Sequence, residues 1–185
     1  MRSLILAVSL VVPTLAQAQS VAEPRTWTAT PFVNVTFGAS GNTSSSLGVG
    51  AAVGYDLTSN LGVEGELGYV FDMKGDDEVV DWSLTNVHAN AVYHFDVVRV
   101  TPYATAGLGW ERSRVDIDGV IIQQVGVLPE SSTEITYNFG GGMKYRISEK
   151  LLARADLRRF QSNDAAPDYW RLYGGLTLVL RRQNP

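Results

Sequence analysis

Along most of this chain, bulky apolar side chains alternate position by position with small or polar ones, and that period of two limits what the chain can become. In residues 47–57, Leu47, Val49, Ala51, Val53, Tyr55 and Leu57 stand against Gly48, Gly50, Ala52, Gly54 and Asp56. In NFGGGMKYRIS, residues 138–148, Phe139, Met143, Tyr145 and Ile147 share one parity with Gly141, and Asn138, Gly140, Gly142, Lys144 and Arg146 share the other. A period of two is the signature of a strand with two unlike faces. No amphipathic helix of useful length interrupts it, so the chain reads as all-β. Periodicity leaves one matter open: the greasy face turns inward in a soluble sheet and outward, toward lipid, in a membrane barrel.

The pattern occurs eight times, in residues 30–39, 47–57, 61–71, 84–95, 103–111, 133–147, 151–160 and 169–180. Segments of roughly ten residues match a tilted membrane strand, whereas soluble strands average about five or six. The connections alternate longer and shorter, as in an up-and-down barrel whose odd connections lie at one end and even ones at the other. The predicted fold is therefore an eight-stranded antiparallel up-and-down transmembrane β-barrel, spanning residues 19–185. Residues 1–18 are set apart. Arg2, an apolar run over residues 4–12 and Ala16-Gln17-Ala18 form a secretory signal-peptide pattern with cleavage expected after Ala18. The apolar run is too short for a membrane-spanning helix, which needs roughly 20 residues.

Composition narrows the function classes. The formal charge of −4 argues against a nucleic-acid partner, and the absence of cysteine excludes disulfides and thiolate metal sites. Only three lysines, Lys74, Lys144 and Lys150, are available for a wet sheet face that would ordinarily need many. The polar parity is instead rich in Gly, Ala, Thr and Asn, which suits a cramped interior. Its charges have both signs: Glu64, Glu66, Lys144, Arg146, Arg154, Asp156, Arg158 and Arg171. Aromatic residues of the apolar parity gather near segment ends: Phe37, Tyr55, Tyr69, Phe71, Tyr93, Phe95, Trp110, Tyr145 and Trp170. That is where interfacial girdles belong. These features predict an apolar face against lipid and a lumen closed by ion pairs, since eight strands enclose little more than side chains fill.

With TPYATAGLGW (101–110), FGGGMKYRIS (139–148), LLARADLRRF (151–160) and RLYGGLTLVL (171–180), the chain resembles the small outer-membrane β-barrel family of Gram-negative bacteria, the group of the OmpA transmembrane domain and OmpX-like proteins. The resemblance spans essentially the whole segment after residue 18. It implies insertion into the outer membrane by the barrel-assembly machinery, with outer-membrane lipid and lipopolysaccharide as surroundings. The family's final strand carries an assembly signal of the form polar-x-Gly-x-x-apolar-x-aromatic. Tyr173, Gly175 and Leu178 fit it, and Leu180 stands where the aromatic belongs. No C-terminal peptidoglycan-binding domain is expected.

Catalytic, metal and cofactor sites are not expected. His88 and His94 share a parity but lie about 20 Å apart at ~3.4 Å per residue, too far to share a metal. One is expected in the lumen and one near the interface. The same-face neighbour of His88 is Asn90 and not the serine of a lipid-modifying dyad. The acidic run DDEVVD (76–81) lacks the oxygen spacing of a calcium loop. Residues 112–132 carry Val120, Ile121, Ile122, Val125, Val127 and Leu128, expected as strands paired above the membrane and as a patch for an extracellular partner. The expected role is thus a non-enzymatic barrel serving envelope integrity or surface interaction through its external loops. A narrow solute channel and a lipid-modifying enzyme stand as alternatives.

Overall fold

The computed structural model describes residues 24–38, 45–71, 80–95, 100–117, 131–162 and 168–182. Residues 1–18, expected as a signal peptide, the apolar residues 120–128 and most of the acidic run lie outside them. Eight strands, β1 (Thr26–Phe37), β2 (Ser46–Asp56), β3 (Leu61–Val70), β4 (Val80–His94), β5 (Val100–Ile117), β6 (Ser131–Ser148), β7 (Leu151–Ser162) and β8 (Tyr169–Arg182), form a closed barrel in sequence order. Every neighbouring pair is antiparallel, including β1 with β8.

A row of paired residues runs Thr26, Asp56, Gly62, Val92, Thr105, Gly140, Arg158, Arg171 and returns to β1 at Thr36. The slip is ten residues, from position 26 to 36, and over eight strands it tilts them by about 40°. Side chains obey one parity throughout. Leu47 is 66 % exposed and Leu108 62 %, while Arg171 is fully buried and Arg158 1 % exposed. Apolar outside and ionic inside is the reverse of a soluble protein.

Two ends differ. At one, tight turns join the strands. Leu57–Asn60 is held by Leu57 N donating to Leu61 O (2.8 Å) and by Thr58 Oγ1 accepting from Leu61 N (2.9 Å). Asn60 Nδ2 donates to His94 O, tying that turn to β4 (3.1 Å). At the other end the strands outrun the hydrophobic pattern. β4 begins at Val80, where the alternation places a loop. β5 continues to Ile117 and β6 starts at Ser131, so the described ends of residues 112–132 are paired strand, as expected for them. The reason is that the apolar period stops where lipid stops, while the hydrogen-bond ladder needs no apolar side chains to continue. β1 likewise starts at Thr26, four residues before its alternation becomes visible.

The β1–β8 seam closes the barrel and carries two irregularities, a register shift between Trp27 and Thr28 and a gap beyond it. Thr30 and Pro31 lack ladder partners on β8 between Ala29↔Leu178 and Phe32↔Gly175. Proline has no N–H to donate. Thr30 Oγ1 meets Thr177 Oγ1 at 2.8 Å across the same gap, so side chains bridge what the backbone leaves open.

The glycine run of β6 is explained by β7. A Cβ on Gly142 would collide with Cβ of Asp156, the carbonyl of Ala155 and the Tyr103 hydroxyl. Gly174, facing lipid on β8, has nothing within 4 Å of such an atom. Replacing Gly142 by Val is expected to cost about 1–3 kcal/mol by overpacking, and Gly174→Val close to nothing. Urea unfolding of the two variants in lipid vesicles checks this, and equal midpoints would refute the packing account.

The lumen charge network as the candidate functional site

Acceptors on β3 face donors on β7 and β8 across the barrel. Arg154 forms a fork onto Glu64, Nη2 donating to Oε1 at 3.0 Å, while its Nε donates to Asp156 Oδ2 at 2.9 Å and to the Tyr103 hydroxyl at 2.8 Å. Tyr103 in turn donates to Asp156. Arg158 spans three carboxylates: Nε to Asp156 (2.9 Å), Nη1 to Glu66 (2.9 Å) and Nη2 to Glu64 (3.3 Å). Glu66 also accepts from the Tyr173 hydroxyl (2.8 Å) and Asn86 Nδ2 (3.3 Å). Two-residue spacing on β3 and β7 is what lets each arginine straddle two carboxylates, because residues i and i+2 share a face.

A second layer sits toward the loop end. Arg171 donates to Asn86 Oδ1 (3.0 Å), the Tyr169 hydroxyl (2.9 Å) and Thr36 Oγ1 (3.3 Å), and lies 3.6 Å from Glu111. Tyr169 donates to Glu111. The Arg171 guanidinium lies over the Phe160 ring at 4.5 Å, and that of Arg158 over Tyr173 at 4.7 Å. Stacking on aromatic faces is a particular use of arginine that lysine does not replace. A third group, toward the tight turns, consists of Lys144 Nζ at 3.0 Å from His94 Nε2, with Asp56 beyond it at 4.0 Å from His94 Nδ1.

Among the eight charges named from the sequence, seven are buried: Glu64, Glu66, Lys144, Arg154, Asp156, Arg158 and Arg171. The eighth, Arg146, shares their parity and is half-exposed at the tight-turn end, beside the irregularity between Arg146 and Ser148. Both histidine rings are buried in the lumen, His94 between Tyr93 and Phe95 near the tight turns and His88 farther along the strand. His88 contacts Asn86 Nδ2 through Nδ1 (3.2 Å) and Thr136 Oγ1 through Nε2 (2.8 Å). That hydroxyl comes from β6, so inspection of one strand misses it. Sequence reasoning also missed Glu111, Tyr103 and Tyr169 as members of the network. Their parity with Gly107, Gly109 and Arg171 was the available signal.

On the outside, with each step around the barrel climbing roughly 3 Å, the aromatics sort into two belts. Trp27, Tyr55, Tyr93, Phe95 and Tyr145 form one near the tight turns; Phe37, Tyr69, Phe71, Trp110, Tyr137 and Trp170 form another roughly 20 Å higher. Trp27 and Tyr137 join the nine aromatics expected from the sequence. On β8, Tyr173 points inward, while Leu178 and Leu180 are exposed on the lipid face; Gly175 is half-buried. No group of three or more potential metal ligands is assembled among the described residues.

A closed antiparallel barrel with apolar exterior, two aromatic belts and an ionic lumen defines an integral membrane barrel. The chain belongs to the outer membrane protein beta-barrel domain family, whose model matches residues 4–176, and it is accordingly an outer-membrane protein. Solved structures of similar fold include neisserial surface protein A, at 20% identity and TM-score 0.64, with 84% of this chain and 96% of that chain covered. The N-terminal barrel domain of Pseudomonas aeruginosa OprF is similar at 24% identity and TM-score 0.53, covering 84% and 98%. The attachment invasion locus protein Ail of Yersinia pestis follows at 15% identity and TM-score 0.51, covering 83% and 97%. No curated protein matches the sequence.

Removing one partner from a buried ion-pair network strands the other at about 3–5 kcal/mol. Glu66→Ala removes the acceptor of Arg158 and Tyr173 and is expected to cost that much. Arg146→Ala, at the rim, is expected to cost about 1 kcal/mol or less. Thermal loss of the folded band in heat-modifiable electrophoresis compares the two, and equal midpoints would remove the network from the account of stability.

Proposed function

We propose that this protein is a closed, non-catalytic barrel that contributes to the integrity of the outer membrane and presents its loop end as an interaction surface. One observation carries the reading: the lumen is filled by side chains. The space beside Glu64, Glu66, Arg154, Asp156 and Arg158 has room for about one water molecule. Above and below it stand the Arg171 and Lys144 groups. Ions of either sign meet fixed charges already neutralised by partners, which offers neither a path nor a selectivity filter.

The same filling argues against catalysis. Among the described residues, the His88–Thr136 contact resembles a base and a hydroxyl, and both are buried inside, away from lipid. A lipid substrate has no route to them. A surface role is in keeping with the fold's relatives, one of which is named for attachment and invasion. The ladder of β4, β5 and β6 beyond the barrel supplies a surface for such a role here.

Planar bilayer recording tests the reading directly. Purified protein is expected to give no stable conductance steps. Reproducible steps that change size in the Glu66→Ala variant would establish the narrow channel instead, and phospholipid or lipid A turnover abolished by His88→Ala would establish the enzyme.

A further inference from the structure

The group at the tight-turn mouth of the lumen has partners for one more proton than its contacts use. His94 ends β4, between Tyr93 and Phe95 of the belt near the tight turns, and its ring is buried. Lys144 Nζ lies 3.0 Å from His94 Nε2, so one proton lies between them. The amine is the stronger base by about four pH units and holds it. Nε2 therefore accepts, the imidazole is neutral, and its own proton is on Nδ1. Asp56 Oδ1 stands 4.0 Å from Nδ1, too far for a hydrogen bond but near enough to attract a charge. Thr101, the register partner of Lys144, is fully buried. Its hydroxyl has no hydrogen-bond partner among the described residues, and a hydroxyl accepts as well as donates.

Other charged and titratable groups face these residues from each side. Arg154 on β7 is also a register partner of Lys144, and it is already held by Glu64 of β3 and by Asp156. Tyr103 on β5 pairs with His94, ring centroids 6.0 Å apart, and Lys144 Nζ stands 5.5 Å from the same ring. Toward the rim, Arg146 is two positions beyond Lys144 and half-exposed. Arg182 on β8 is the register partner of Thr26, which also pairs with Asp56. Cations thus flank the imidazole on the Lys144 side, and the carboxylate lies on the other.

From this geometry we infer that Asp56, His94, Lys144 and Thr101 form a two-position switch worked by a proton. With His94 neutral, Lys144 donates to it. A proton taken from solvent onto Nε2 sets two N–H donors against each other, and the contact parts. The imidazolium then turns to Asp56 and the ammonium to the Thr101 hydroxyl. Each position satisfies groups that the other leaves without a partner. Histidine is the side chain that ordinarily titrates between about pH 5 and 8. The Asp56 side chain, 11 % exposed, opens the group to the aqueous side. The residue that switches also anchors a turn. His94 N donates to Asn60 O at 2.7 Å, and His94 O accepts from Asn60 Nδ2 at 3.1 Å. Acidity at the tight-turn end is thereby transmitted to the connection between β2 and β3.

Nitrogen-15 NMR of the full-length mature protein in phosphatidylcholine nanodiscs tests the switch, with His94 identified by sequential assignment. In wild type His94 is expected as the neutral Nδ1–H form at about pH 8 and as imidazolium at about pH 5. Electrophoretic migration is expected to show the barrel folded at both. The Asn60 side-chain amide is expected to shift with the same midpoint. Thr101→Val removes the second acceptor of the ammonium, and Asp56→Asn the charge that draws the imidazolium. Each is expected to lower the His94 midpoint by about 1 pH unit, which a merely structural role would leave in place. The wild-type readings need no variant to fold. A folded wild type with His94 still neutral at about pH 5, or with the Nε2–H form at about pH 8, overturns the inference. So does an Asn60 amide that stays fixed while His94 titrates, or an unchanged midpoint in either variant.

Discussion

Every peptide group that crosses hydrocarbon must find its hydrogen-bond partner within the protein, because an unpaired one costs several kcal/mol and there is no water to take it. For strands this means closure, and the pairing of β1 with β8 is where closure happens. Once the sheet is a tube, the two parities of each strand become an inside and an outside. A shift of register by one residue would then put the Arg158 parity into lipid and the leucines into the tube. At mid-depth a misplaced arginine costs about 2–4 kcal/mol, so the charges that fill the lumen also fix the register. The gap at Pro31 is tolerated because it is short and because Thr30 and Thr177 meet across it.

The network inside has a property that a greasy filling would lack. Its principal links join residues far apart in sequence, Arg154 to Glu64 and Arg158 to Glu66, separated by 90 and 92 positions. β3 and β7 are not neighbours in the sheet, so these links cannot form until the barrel has closed. The pairs therefore reward the closed state over any partly zipped one. Buried ion pairs often do no better than a well-packed apolar core. In a membrane barrel the comparison changes, since apolar residues on both parities would leave nothing to distinguish inside from outside. The arginines moderate their own burial through the rings of Phe160, Tyr169 and Tyr173.

How much of this was legible follows from what alternation can carry. The eight strands rest on parity, their order on the alternating connections, and the inward placement of Glu64, Glu66, Arg154, Asp156, Arg158 and Arg171 on parity joined to the scarcity of lysine and the aromatic girdles, all of it written in the sequence. Cross-strand partners are not. That Thr136 meets His88, or Tyr103 joins Asp156 to Arg154, depends on a ten-residue slip around the barrel that no single strand records. Strands paired above the membrane were expected over residues 112–132, but where they end was hidden, since Arg112, Ser113 and Arg114 show no apolar period and are paired nonetheless.

Those same residues show how the protein handles the strands that rise above the closed barrel. β3 ends at Val70, opposite Leu84, and β7 pairs with β6 only from Thr136. Above that level β4, β5 and β6 continue as three strands whose two outer edges are unpaired among the described residues, the arrangement that invites pairing with another chain. The edge on β6 is short and polar, Ser131, Ser132, Thr133 and Glu134, and Glu134 is drawn back toward the barrel by Ser162, which donates to it at 2.7 Å. Short length, hydroxyls and a tethered charge are devices that blunt an edge. The projecting sheet is thereby left free to use its faces and not its edges. A face that rises directly from an aromatic belt is held at a fixed height above the lipid, so chemistry placed on it meets the membrane surface at a defined depth.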